Sequence, residues 1–231
     1  MKKVKLFCIP YAGGSSSIYL SWKKYFKEEI EIYPVELAGR GKRFDEKPYT
    51  NMEDILNDIY NSIKDDINDG EYMIFGHSMG ALLAYELIHM INENGDNKPK
   101  HAFFSGKGAQ HIPVLKESIY KLSDHEFMKK VYSLGGTSKE LLDTKELLEI
   151  FIGVLKADYE AIDKYEYHDR RYKFEFPISI LNGIEDKLTK DCISEWSIHT
   201  EKECNIYNFP GGHFFINNNI KEISEIIKSK I

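Results

Sequence analysis

A serine between two glycines is the feature of this sequence with the clearest chemical meaning. The segment Gly76-His77-Ser78-Met79-Gly80 follows the apolar run Tyr72 to Phe75 and precedes the apolar helical pattern Ala81 to Leu87. A strand, a tight turn and a helix in this order expose a serine hydroxyl on a strained backbone, and glycines are needed where side chains would collide. The pattern therefore predicts Ser78 as a nucleophile. The alternative is an ordinary strand-to-helix turn in which Ser78 caps the helix.

A serine nucleophile requires a base, and His213 has the most suitable setting of the eight histidines. Where such a turn carries the nucleophile, the acid and then the histidine follow it along the chain. His213 follows a late apolar run and two glycines, which suits a loop at a strand end; otherwise it is a surface histidine. His77 adjoins the nucleophile, but neighbours on a tight turn point apart, so we expect it to be structural or to line the pocket.

The carboxylate that fixes the tautomer of the base is expected in the loop after the apolar run Ile178 to Leu181. Asp186 lies in that loop and is the predicted acid. Glu185 would face the other way and Asp191 would lie in the following helix, and both remain alternatives.

Hydrolysis through a serine also needs two donors for the oxyanion of the tetrahedral intermediate. The backbone N–H of Met79, directly after the nucleophile, is the first candidate. The second should come from the loop Pro10 to Ser15, whose glycines permit close approach of the backbone to a ligand. We assign it to the Ala12 N–H, with the Tyr11 N–H as the alternative.

Alternating strand and helix patterns supply the frame for these residues. Six short runs rich in β-branched and aromatic residues are typical of buried parallel strands: Val4 to Ile9, Ile30 to Val35, Tyr72 to Phe75, His101 to Ser105, Ile178 to Leu181 and Asn205 to Phe209. Helical patterns lie between and after them: Ile18 to Phe26, Met52 to Ile67, Met79 to Ile91, Cys192 to Thr200 and Ile220 to Ile231. This alternation predicts an α/β fold with a mostly parallel, doubly wound sheet.

The stretch 107–165 breaks the alternation, because it has helical patterns and no convincing strand. Ser123 starts a capping box, and Leu141 to Ala157 is strongly helical. We interpret the stretch as a helical lid inserted over one edge of the sheet; two ordinary crossover helices with loops are the alternative. Asp158 and Asp163 lie in this stretch and are expected to be surface charges.

Composition bounds the remaining function classes. The 231 residues, 42% of them hydrophobic, suit one globular domain spanning residues 1–231, and no apolar run is long enough to cross a bilayer. Three cysteines indicate neither a disulfide framework nor a zinc site, and they favour a reducing cytoplasm. A net charge of -6 argues against nucleic acid as a partner. The small basic cluster Arg40, Lys42 and Arg43 either steers an acidic partner or is simply solvated.

Taken together, the segments resemble the type II thioesterases associated with nonribosomal peptide and polyketide synthases, members of the α/β-hydrolase superfamily. The resemblance runs nearly end to end. It rests on Pro10-Tyr11-Ala12-Gly13-Gly14, Gly39-Arg40-Gly41, Gly76-His77-Ser78-Met79-Gly80, Ala157-Asp158-Tyr159, Trp196 and Pro210-Gly211-Gly212-His213-Phe214-Phe215. Small departures from the family pattern are Ala38, Lys107 and Lys156.

The resemblance implies an editing enzyme that hydrolyses acyl or aminoacyl thioesters from the phosphopantetheine arm of carrier proteins. Nothing in the sequence requires more than a monomer. It implies a triad of Ser78, Asp186 and His213, a mobile lid that shapes the acyl chamber, and no metal or organic cofactor. Two rival functions use the same fold: a carboxylesterase or lipase with the same triad, and a catalytically silent protein that binds carriers.

Overall fold

Six parallel strands form one sheet at the centre of the computed structural model, which describes residues 3–26, 28–112, 117–133, 145–189 and 193–231. The strands are β1 (Val4–Ile9), β2 (Ile30–Pro34), β3 (Tyr72–His77), β4 (His101–Ser105), β5 (Ile178–Gly183) and β6 (Cys204–Phe209). Their order across the sheet is β2-β1-β3-β4-β5-β6. All six correspond to predicted strands, and β3 and β5 each continue two residues further because His77 still pairs with Ser105 and Gly183 with Phe209.

Helices cover both faces of the sheet, as the alternation predicted. The α-helices are α1 (Met52–Ile67), α2 (Met79–Glu93), α3 (Asp124–Tyr132), α4 (Lys145–Lys164) and α5 (Ile220–Lys228). Two further segments predicted to be helical form 3-10 helices, at Ser16–Tyr25 and Ser194–His199. Cys192 and residues 141–144, where two of the predicted helices begin, lie outside the described residues. No helix in the described part of the chain is long and apolar enough to span a membrane.

Alternating strand residues feed two apolar layers, one on each face of the sheet. Phe7 and Ile74 face the layer that contains α1 and α2. Leu6 and Phe75 face the opposite layer, which contains α5 and the first 3-10 helix. Because successive strand side chains point to opposite faces, the near-continuous apolar runs of β1 and β3 are buried on both sides.

The stretch 107–165 contributes α3 and α4, and its described residues contain no strand. The two helices share a small apolar core of their own, which includes Phe127 from α3 and Leu155 from α4 and against which Ala12 of the β1 loop packs. The Lys156 ammonium donates to the Leu122 carbonyl at 2.8 Å and to the Asp124 carboxylate at 2.6 Å. The helical stretch is therefore bound both to itself and to the loop that leaves β1.

Candidate active site

The strained turn at Ser78 is built by close contacts of its two flanking glycines. Ser78 has φ 56° and ψ -115°, and its N–H donates to the Ser105 carbonyl at 2.8 Å. A Cβ added at Gly76 would lie 2.0 Å from the Gly80 carbonyl oxygen, and one at Gly80 would lie 2.2 Å from that of Ile9. Neither position accepts a side chain, which accounts for both glycines. The Ser78 hydroxyl makes no capping hydrogen bond to α2, so the alternative of Ser78 as a side-chain cap is wrong.

The three residues predicted to act together lie in one hydrogen-bonded line. His213 Nδ1 is 2.7 Å from Asp186 Oδ2, and His213 Nε2 is 2.9 Å from Ser78 Oγ. With the ring proton on Nδ1 donated to the carboxylate, Nε2 is free to accept the proton of the Ser78 hydroxyl. Asp186 and His213 are both buried, whereas Ser78 is partly exposed. The Ser78 hydroxyl is thus accessible, whereas the imidazole and the carboxylate behind it are buried.

Close backbone contact brings the acid loop and the base loop together. The Asp186 N–H donates to the Gly183 carbonyl at 2.9 Å, which closes a tight turn after β5. A Cβ at Gly183 would lie 2.3 Å from the Gly212 carbonyl oxygen, so the end of β5 abuts the residue before His213. The second Asp186 oxygen accepts the Leu188 N–H at 2.9 Å. These contacts fix the carboxylate in the orientation that meets His213.

Of the two alternative acids, Glu185 does not share this position. Glu185 is exposed, and the hydrogen bond found for it runs from its backbone N–H to the Gly211 carbonyl. Asp191 lies outside the described residues. Within the described residues no group of three or more histidine, cysteine, aspartate or glutamate side chains is arranged to hold a metal ion.

His77 is structural, as its place beside the nucleophile predicted. Its Nδ1 is 2.9 Å from Ser105 Oγ, and its ring centroid lies 5.2 Å from that of His213. Burial lowers the pKa of His77 well below its ordinary value, and the charge of His213 lowers it further. His77 therefore stays neutral and supports the His213 ring without competing for the Ser78 proton.

The start of α2, with Met79, lies against the chain that leads from β1 into the loop of the second predicted donor. The Cβ contacts at Gly80 place the first turn of α2, where Met79 begins the helix, against the Ile9 and Pro10 carbonyls. The first N–H groups of a helix have no partner within it, so the Met79 N–H is available. In the loop after β1 the Gly14 N–H donates to the Tyr11 carbonyl at 2.9 Å. The Ala12 and Tyr11 N–H groups have no acceptor among the described residues, so both predictions for the second donor stay open.

Asp158 was predicted to be a surface charge, and this is wrong. Its carboxylate is 1% exposed and binds the Arg40 guanidinium through two hydrogen bonds of 2.7 Å. One of the same oxygens accepts the Gly13 N–H at 2.7 Å. The sequence signal for this contact was present in the Gly39-Arg40-Gly41 and Ala157-Asp158-Tyr159 motifs, but nothing in either motif alone indicates the other as its partner.

The basic cluster of Arg40, Lys42 and Arg43 is largely paired with carboxylates in the structure. Arg40 is buried against Asp158, and Arg43 is paired with Asp58 at 2.6 Å as well as with Glu46. Of the three cations only Lys42 is exposed without a carboxylate side chain bound to its ammonium in the described structure. The hypothesis of a steering patch therefore loses two of its three charges.

Comparisons with known proteins agree over nearly the whole chain. The family model of the thioesterase domain matches residues 4–231. The gramicidin S biosynthesis protein GrsT of Aneurinibacillus migulanus is 35% identical, over 97% of this chain and 88% of that protein. The crystal structure of ClbQ from the colibactin NRPS/PKS pathway superposes with a TM-score of 0.94 at 30% identity, covering 99% of this chain and 97% of ClbQ.

A further solved structure carries the class in its name. The type II thioesterase BorB from the borrelidin biosynthetic cluster superposes with a TM-score of 0.90 at 27% identity, over 99% of this chain and 93% of BorB. The sheet order, the turn at Ser78 and these matches together show an α/β-hydrolase fold. The chain belongs to the thioesterase family and is similar to its type II members.

Proposed function

We propose that this chain is a serine thioesterase that releases acyl or aminoacyl groups from the phosphopantetheine arm of carrier proteins. Ser78 is the nucleophile, His213 the base, and Asp186 the acid that orients the base. The observation that carries the proposal is the unbroken hydrogen-bonded line of Ser78 Oγ, His213 and the Asp186 carboxylate. Membership of the thioesterase family supports a thioester as the bond that is cleaved.

Acylation begins when His213 Nε2 takes the proton of the Ser78 hydroxyl as the oxygen attacks the thioester carbonyl. The carbonyl oxygen becomes an oxyanion, which the Met79 and Ala12 N–H groups stabilise by hydrogen bonds. The carbon–sulfur bond then breaks and the thiol leaves with the proton held on His213. A pantetheine thiol has a pKa near ~8.5, so it leaves far more easily than an alcohol or an amine.

Deacylation repeats the same steps with water. His213 Nε2 takes a proton from the water molecule as its oxygen attacks the acyl-serine carbonyl. The second oxyanion uses the same two donors, the carbon–oxygen bond to Ser78 breaks, and the proton on His213 returns to the serine. Throughout, Asp186 stays ionised and stabilises the imidazolium form of His213.

The carrier partner and the lid are parts of the same proposal. Relatives named for gramicidin S biosynthesis and for the colibactin NRPS/PKS pathway support a carrier-bound substrate. Residues 107–165 act as a lid on a single domain of residues 1–231, because α4 contacts the loop that supplies the Ala12 donor. Only Lys42 remains as an exposed cation of the former basic cluster, so steering by that cluster is not part of the proposal.

The test is a hydrolysis panel in which one acyl chain is presented as a carrier-bound thioester, a free pantetheine thioester and an oxygen ester. We expect the thioesters to be preferred, and Ser78→Ala and His213→Ala to remove nearly all turnover. A clear preference for the oxygen ester would indicate a carboxylesterase instead. Failure of the wild-type protein to react with a fluorophosphonate would indicate a silent carrier-binding protein.

A further inference from the structure

The Asp158 carboxylate joins three separate parts of the chain at the edge of the active site. It lies on α4, it is held by Arg40 from the loop after β2, and it accepts the Gly13 N–H from the loop after β1. The Arg40 guanidinium also approaches the Gly14 carbonyl at 3.4 Å. The buried pair of Arg40 and Asp158 therefore contacts the backbone of the loop that carries the proposed Ala12 donor.

Two hydrogen bonds determine where the Ala12 N–H points. The Tyr11 carbonyl and the Ala12 N–H belong to one planar peptide unit and point in opposite directions. The Gly14 N–H, which binds that carbonyl at 2.9 Å, fixes the plane of the unit. The next peptide unit carries the Gly13 N–H, which Asp158 holds at 2.7 Å. Asp158 thus anchors the middle of the turn whose first unit presents the donor.

Close contacts on both sides restrict the conformation of the turn. Gly13 has φ 74°, in the left-handed region, and a Cβ added to it would lie 2.7 Å from the Leu155 side chain of α4. On the far side of the turn, the Ser16 N–H donates to the Glu36 carboxylate at 2.9 Å. The seating of α4 and the shape of the donor turn are therefore linked through Leu155 and Asp158.

Stability alone gives little reason for a buried pair at this position. Taking two charges out of water costs free energy, and apolar residues of similar volume often stabilise a protein as well or better. What apolar residues cannot supply is an acceptor for the half-buried Gly13 N–H, which would otherwise lose its partner.

We propose that Asp158 is a positioning residue of the oxyanion site, with Arg40 holding its carboxylate in place. The proposal rests on the proposed function, because it assumes that the Ala12 turn binds the oxyanion. Seating of α4 against the turn is then required for full turnover, so α4 influences the rate of the chemical steps through Asp158 and Leu155.

The test compares two double variants that differ only in the acceptor offered to Gly13. Arg40→Met/Asp158→Asn and Arg40→Met/Asp158→Leu both remove the two charges, and asparagine and leucine have similar shapes. The asparagine variant keeps an oxygen for the Gly13 N–H, whereas the leucine variant removes it. We expect kcat of the leucine variant to be about 100-fold lower than that of the asparagine variant, with KM changed less than about twofold.

The result must separate this role from a structural one. Equal kcat in the two double variants would overturn the proposal, whatever the unfolding temperature of each. A fall in kcat/KM that comes only from a higher KM would overturn it as well. The rate of Ser78 labelling by a fluorophosphonate is measured on the same proteins, because that reaction also develops charge on an oxygen in the oxyanion site. If the wild type labels but hydrolyses no thioester, the proposed function fails while the ratio of labelling rates still decides the role of Asp158. If the wild type does not label, both fail.

Discussion

Replacing Asp186 by asparagine tests the catalytic line at its most buried point. The substitution keeps the shape of the side chain, and the Leu188 N–H, now 2.9 Å from Asp186 Oδ1, selects the orientation of the new amide. That donor requires the amide oxygen, so the amide nitrogen must face His213 Nδ1 in place of the carboxylate oxygen 2.7 Å away. The amide then donates to Nδ1, and the ring proton is forced onto Nε2.

The wrong tautomer has a large kinetic cost. With its proton on Nε2 the ring presents a donor to Ser78 Oγ, 2.9 Å away, and cannot accept the serine proton. The imidazolium formed in the transition state also loses its negative partner. For a triad we expect kcat/KM to fall about 10⁴-fold. This corresponds to a rise of about 5 kcal/mol in the activation free energy.

The assay is steady-state hydrolysis of an acyl-pantetheine thioester by purified Asp186→Asn, with the unfolding temperature measured alongside. Glu185→Gln is the matched control, because it removes the neighbouring exposed carboxylate and should keep wild-type kinetics. Retention of more than about a tenth of kcat/KM by a folded Asp186→Asn variant would refute Asp186 as the acid. A large loss in Glu185→Gln would point to the other carboxylate.

Two further predictions concern packing and pH. Gly76→Ala would place a methyl group 2.0 Å from the Gly80 carbonyl oxygen and should abolish folding or lower the unfolding temperature steeply. Gly153 is at an exposed position of α4 where an added Cβ meets no atom within 4 Å, so Gly153→Ala should stabilise the protein by about 1 kcal/mol in urea unfolding. Burial, with a smaller contribution from the charge of Lys230, lowers the pKa of His101 from its ordinary 6.5 to about 4. Between pH 6.5 and pH 4 the unfolded state therefore binds more protons than the folded state, so the stability of the protein falls as the pH decreases. His101→Gln should remove about 2 kcal/mol of the loss in unfolding free energy between pH 7 and pH 5, and an unchanged loss would contradict the assignment.

Local sequence rules were sufficient to predict the turn at Ser78 and most of the frame. The turn was predictable because a strand, a turn and a helix meet within a few residues, and the glycines that make the turn are themselves in the motif. Asp186 and His213 followed from the order of chain segments in parallel sheets, where loops at the carboxyl ends of strands meet along one edge. The four inner strands, β1, β3, β4 and β5, are short runs buried along their whole length, which is the pattern that predicts a parallel strand. The edge strands β2 and β6 were expected to be buried as well, but they are only partly buried because each has a neighbouring strand on one side only.

The role of Asp158 was beyond local rules. An aspartate near the end of a helical pattern resembles any solvated charge, and its burial is decided by Arg40, 118 positions away in sequence. The cluster of Arg40, Lys42 and Arg43 misled for the same reason, because the partners that neutralise it come from distant elements. A charge is buried only when its counter-charge is brought to it, and that pairing is a property of the fold.

The two buried aspartates of the site need different electrostatic surroundings, and the structure supplies them. Of the two Asp186 oxygens one meets the His213 ring and the other a backbone N–H, so in the proposed mechanism its charge is available to stabilise the imidazolium. The Asp158 carboxylate binds the N–H of Gly13, the residue after the proposed Ala12 donor, and a bare carboxylate there would repel the developing oxyanion. The Arg40 guanidinium cancels that charge and leaves only the acceptor geometry. In the proposed mechanism the Asp186 carboxylate stabilises a cation on His213, whereas an anion near Ala12 requires that the charge of Asp158 be cancelled by Arg40.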